Sequence, residues 1–84
     1  FLFNIIYEIK IDKDKIILNR NKEIYRNDII GIEFDFFIYK GKNYYINIKT
    51  LNGKNYKITN YYIHNLDISI FDLYRVLYYW KFRK

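Results

Sequence analysis

Ile30-Gly31-Ile32-Glu33-Phe34-Asp35-Phe36-Phe37-Ile38 alternates with a period of two: one parity reads Ile, Ile, Phe, Phe, Ile and the other Gly, Glu, Asp, Phe. That pattern predicts a strand with its first set of side chains on a core. Working outward, Tyr44–Thr50 and Asn55–Thr59 alternate likewise, and between them Leu51-Asn52-Gly53-Lys54 contains an Asn-Gly pair that tolerates positive φ. A tight hairpin turn is expected there. Lys40-Gly41-Lys42-Asn43 makes the turn before it. Upstream, Asp12-Lys13-Asp14-Lys15 separates a strand at Ile5–Ile11 from one at Ile16–Leu18, and Asn19-Arg20-Asn21-Lys22 leads into a short strand at Glu23–Arg26. The expectation is about six antiparallel strands within residues 1–63.

Beyond residue 68 the period changes. Ser69 followed by Asp72 fits a capping box, and Ile70, Leu73, Leu77 and Trp80 recur at helical spacing, which predicts a C-terminal helix over about 69–83. On a helical wheel Ile70, Leu73, Val76, Leu77 and Trp80 share one arc. Phe71, Tyr74, Tyr78 and Phe82 share the next, leaving Asp72, Arg75, Tyr79 and Arg83 for water. Such a helix is expected to be mostly covered. Asp67 and Asp72 at its start, with Lys81, Arg83 and Lys84 at its end, suit the helix dipole.

The chain has 84 residues, 51% hydrophobic and 29% charged, enough for one core and too few for two. It holds no cysteine, which removes disulfide scaffolds, thiolate metal sites and cysteine nucleophiles together. Seventeen Ile, 11 Lys, 10 Asn and 11 Tyr dominate it, all with AT-rich codons, so genome bias competes with function as the source of this richness. Phe1 stands where an initiator Met is usual, and the expectation is a segment of a longer protein. The opening apolar run ends at Glu8, short of the ~20 residues that span a bilayer, and has no basic leader before it. A cytoplasmic location follows, with attachment to the inner face of the membrane through an upstream segment as an extension of it.

Strands closed by one amphipathic helix are the outline of the pleckstrin-homology (PH) superfold. Three stretches sharpen the likeness: Tyr7-Glu8-Ile9 with Asp12 and Ile16-Ile17, the run Glu23–Glu33 with its polar Asn27-Asp28-Ile29 turn, and the hairpin Ile46–Ile58 around Thr50 and Gly53. In these the chain resembles bacterial PH-like domains. The resemblance implies a bent antiparallel sheet or partly open barrel capped by the helix, and a docking role rather than a catalytic one. It carries over no binding residue, and the chain is about one strand short of the family's seven.

Chemistry is sparse. His64 has no cysteine beside it, and Ser69, the nearby hydroxyl, is better used as a cap. Asp12, Asp14, Asn19 and Asn21 lack the glycine and closing glutamate of a calcium loop and read as turn residues. Gly31, Gly41 and Gly53 are too far apart for a phosphate loop. No catalytic residue, metal site or cofactor is expected, and the chain reads as a non-enzyme.

Charge is more informative. The net +6 is concentrated in residues 36–66, which carry Lys40, Lys42, Lys49, Lys54 and Lys57 and no acid. With Tyr39, Tyr45, Tyr61 and Tyr62 interleaved, these lysines are expected to form a basic stripe. Its partner would be an acidic protein or anionic lipid headgroups. The alternatives are single-stranded nucleic acid, stacked on the tyrosines and neutralised by the lysines, or a solvated face with no ligand. The aromatic arc Phe71, Tyr74, Tyr78 and Phe82 reads as extra core or as an interface, including one between two copies of the chain.

Overall fold

The computed structural model describes residues 6, 8–59 and 68–82. Six strands, β1 (Ile9–Ile11), β2 (Lys15–Leu18), β3 (Lys22–Tyr25), β4 (Ile29–Ile38), β5 (Lys42–Thr50) and β6 (Asn55–Thr59), precede helix α1 (Ile70–Phe82). They form two antiparallel sheets, β1-β2-β3 and β4-β5-β6. Neither a single bent sheet nor a closed barrel is present among the described residues: a single 3-10 turn at Arg26–Asp28, where the Asn27-Asp28-Ile29 turn was expected, carries the chain from one sheet to the other.

One hydrophobic cluster joins all the elements. Ile9, Ile16, Leu18 and Ile24 come from the first sheet, Ile29, Ile32, Ile46, Ile48 and Ile58 from the second, and Ile70, Leu73 and Leu77 from α1. Alternation accounts for most of this list, since Ile46 and Ile48 on β5 and Ile16 and Leu18 on β2 occupy same-face positions. β4 departs from it. The register slips between Ile29 and Gly31, so Ile29 is buried and Ile30 is 57% exposed, opposite to the plain parity reading. A bulge places two residues against one and turns the upstream part of the strand over.

The two hairpin turns of the second sheet stand at opposite ends of β5. At Tyr39-Lys40-Gly41 both Lys40 (φ 53°) and Gly41 (φ 111°) are left-handed, and the Asn43 carboxamide donates to the Tyr39 carbonyl at 2.7 Å. At the other turn only Gly53 (φ 88°) is left-handed, while Asn52 Oδ1 accepts from the Lys54 amide at 3.0 Å.

α1 starts as expected, with the Asp72 amide donating to Ser69 Oγ at 3.1 Å. The Asp72 carboxylate lies 3.7 Å from Arg75. The wheel's apolar arc is only partly covered: Ile70, Leu73 and Leu77 are buried, but Val76 is exposed, as are Phe71, Tyr78, Tyr79 and Phe82. The buried stripe is narrow, one residue per turn, and of the strands α1 packs chiefly against β4 and β5. The end of α1 reaches the connections of the first sheet: Trp80 Nε1 donates to the Asp12 carbonyl in the β1–β2 turn at 2.6 Å, and Lys81 Nζ to the Arg26 carbonyl in the 3-10 turn at 2.8 Å. Asp67, Arg83 and Lys84 lie outside the described residues.

Candidate functional site

β5 divides the predicted lysines between its faces. Lys42, Tyr44, Ile46, Ile48 and Thr50 share the core-facing side, whereas Asn43, Tyr45, Asn47 and Lys49 face out. Lys57 joins the outer face on β6, opposite Asn47, with its ammonium 5.1 Å from the Tyr45 ring. Lys40 and Lys54 sit in turns at the two ends. A continuous basic stripe is therefore not formed. Its middle is also neutralised, because Glu33 on β4 lies diagonally across from Lys49 and closes an ion pair at 3.2 Å. Asp35 adds a second carboxylate to that face. Tyr61, Tyr62 and His64 lie outside the described residues.

What remains concentrated is the end of the β4–β5 hairpin that outruns the core. Phe36 pairs with Tyr44 and Ile38 with Lys42 on the core-facing side, beyond Ile46, the last buried residue of that face. There Phe36 is 48%, Ile38 71% and Tyr39 49% exposed. Large apolar groups held in water side by side at a hairpin end are the unusual feature, since scattered exposed residues are ordinary and neighbouring ones are not. Lys40 and Lys42 supply the only charges between residues 36 and 44, with ammonium groups 5.6 Å from the Tyr39 ring and 4.4 Å from the Phe36 ring. Asp35 borders the patch, and its Oδ1 accepts from the Phe36 amide at 2.8 Å.

The hairpin end is braced from behind by half of the predicted aromatic arc. Phe34 stacks on Tyr44 at 5.6 Å and 8°, Phe71 lies 4.7 Å from Tyr44 and 5.4 Å from Phe34, and Tyr74 lies 5.1 Å from Phe34. Such tilted and offset pairs add about 0.5–1.5 kcal/mol each beyond burial. Tyr74 thus packs against the core, Phe71 covers the Phe34–Tyr44 pair while itself remaining half exposed, and Tyr78 and Phe82, 4.7 Å from each other, continue the exposed arc along α1.

The other candidates separate. Asp12 and Asp14 occupy the β1–β2 turn, while Asn19 and Asn21 belong to the turn at the opposite end of β2, so the four do not converge. Among the described residues no group of three His, Cys, Asp or Glu side chains gathers for a metal, and no described helix is long and apolar enough to cross a membrane.

Sequence reasoning missed a second feature. Where the sheets splay apart, Asn21, Lys22, Lys54, Asn55 and Tyr56 line a cleft of about 460 Å³ floored by Ile6 and Leu18. Only Lys54 of these was a predicted site residue. The sequence signal, a lysine beside each of two Asn-containing turns, looks the same as ordinary turn chemistry.

No protein-family model, curated protein or solved structure matches the chain.

Proposed function

We propose that this chain is a non-catalytic docking module of the PH-like kind, which seats the end of its β4–β5 hairpin on an anionic membrane surface. Six antiparallel strands followed by one C-terminal helix support the architectural half of that reading. The functional half is carried by one observation: Phe36, Ile38 and Tyr39 stand exposed together, and the only charges among them are Lys40 and Lys42. A lipid interface complements that set. Its headgroup layer accepts aromatic rings with a polar tip, its outer acyl region takes Ile38, and its phosphates attract each ammonium by ~1 kcal/mol. Two lysines and one inserted aliphatic side chain give reversible attachment, in keeping with a module that acts alongside other segments.

Co-sedimentation with vesicles tests this. Binding is expected to vesicles containing phosphatidylserine, to weaken as salt rises, and to be lost on zwitterionic vesicles. Lys40→Glu with Lys42→Glu, or Ile38→Asp alone, is expected to weaken binding at least about fivefold, since each removes ~1 kcal/mol or more. All three positions are exposed, so folding should survive. Retention of single-stranded DNA on filters without vesicle binding would replace the reading by a nucleic-acid one. Binding to neither would leave an acidic protein partner or self-association, the latter decided by light scattering.

A further inference from the structure

The cleft between the sheets lies at the far end of β5 from the hairpin tip. It is built by the strand alternation itself. Lys22 has the same parity on β3 as buried Ile24, and Tyr56 the same parity on β6 as buried Ile58, so both side chains prolong the inner faces of their sheets into the mouth. The Lys22 ammonium lies 5.7 Å from the Tyr56 ring, and Lys54 enters from the β5–β6 turn. Asn21 and Asn55 add carboxamides that both donate and accept.

The charge of the cleft points to an anion. Among the described residues no acidic side chain lines it, and the carboxylates nearest in sequence are engaged elsewhere: Glu23 with Lys15 at 3.1 Å and Glu8 with Arg20 at 2.7 Å. Asp28 lines the neighbouring depression, not this one. Among the described residues neither Lys22 nor Lys54 has a carboxylate partner. The rim on the β2–β3 side is an ordinary tight hairpin turn, with Asn19 (φ 53°) and Arg20 (φ 71°) left-handed and the Asn21 amide donating to the Leu18 carbonyl at 3.2 Å.

We infer that the cleft binds the phosphate of a soluble phosphate monoester. Such a group carries close to two negative charges and three acceptor oxygens at neutral pH, which two ammonium groups and neighbouring carboxamides can meet together. The volume fits a small metabolite and is too small for a folded partner. Nine residues of β5 at ~3.3 Å each put the cleft about 30 Å from the hairpin tip. A headgroup in a bilayer touched by that tip is out of reach, so the phosphate is a soluble one. The assignment of the cleft itself does not depend on membrane docking; only this choice of source does.

Titration of the isotope-labelled chain with inorganic phosphate, followed by amide resonances, tests the inference, with sodium chloride and acetate at matched ionic strength as controls. Saturable shifts are expected at Asn21, Lys22, Lys54 and Asn55, with acetate much weaker and chloride without effect. Lys22→Ala with Lys54→Ala is expected to weaken binding about tenfold or more, as loss of charge-assisted hydrogen bonds does. Lys40→Ala with Lys42→Ala should leave it unchanged. Dispersed spectra of each variant establish that it is folded. Equal shifts with chloride, or binding indifferent to Lys22 and Lys54, would overturn the site. Displacement of phosphate by phosphatidylserine vesicles would overturn the soluble source and assign the cleft to lipid, whereas vesicle binding that leaves the cleft resonances alone bears only on the hairpin tip.

Discussion

On the outer face of the first sheet, Lys15 and Glu23 face each other diagonally across β2 and β3 at 3.1 Å, and the Tyr25 hydroxyl donates to the other carboxylate oxygen at 3.2 Å. The Lys15 hydrogen bond, then its charge and the Tyr25 hydroxyl, hold the Glu23 carboxyl below its usual range. The hydrogen bond to Glu23 raises Lys15 above its ordinary value, partly opposed by desolvation. A lowered carboxyl pKa means that the folded state binds its proton less readily than the unfolded one. Its contribution is therefore present above the ordinary glutamate pKa and lost as pH falls through the lowered one. The Lys15 contribution is present below the ordinary lysine pKa and lost as pH rises through the raised one. Both groups are solvent-accessible, so the effect is small. Glu23→Gln should accordingly show a shallower fall in urea midpoint between ~pH 5 and ~pH 3 than the unaltered chain, and the same midpoint at the acid end. Equal slopes would mean that the pair is not formed in solution. The pair joins residues eight apart on two strands that only register brings together, and none of its members was read as special in the sequence.

At the scale of elements, the bulge in β4 is the feature with most leverage. It makes Ile29 (1% exposed) a core residue and Ile30 a surface one, although alternation from Ile32 onward assigns the reverse. Ile29→Ala is expected to cost about 2–5 kcal/mol, the range for a truncated buried aliphatic, and Ile30→Ala less than about 0.5 kcal/mol. Urea denaturation of the two variants measures the difference, and equal costs would remove the bulge. The strands, both turns of the second sheet and the helix cap were legible because each depends on neighbours in sequence: alternation, Gly41 and Gly53, and Ser69 with Asp72. The bulge was not, since an inserted residue leaves no mark in a run of isoleucines that suit either face. Val76 was misassigned for a related reason: wheel geometry gives the apolar side of a helix but not how wide a stripe the sheets behind it can cover.

In the whole molecule, α1 is tied to both halves: Phe71 and Tyr74 rest on the β4–β5 hairpin, and Trp80 and Lys81 bond to carbonyls of the β1–β2 turn and of the 3-10 turn that follows β3. Because a single apolar cluster runs through all three layers, they should unfold together. Trp80 is the only tryptophan and reports the junction of α1 with the first sheet, so its fluorescence in urea is expected to trace the same transition as far-UV circular dichroism. Separated midpoints would mean that one sheet melts independently. The kinds of element and their order are written locally, because periods of two and of about four and the chemistry of turns and caps act over a few residues. So is the run of cations without acids in the central third of the chain. How those cations are grouped emerges only on folding, because partners are set by register and layer packing across large sequence separations. Glu33 came to lie against Lys49, Lys42 was turned to the core-facing side of its strand beside Phe36 and Ile38, and Lys54 was brought into one cleft with Lys22, which the sequence keeps far away.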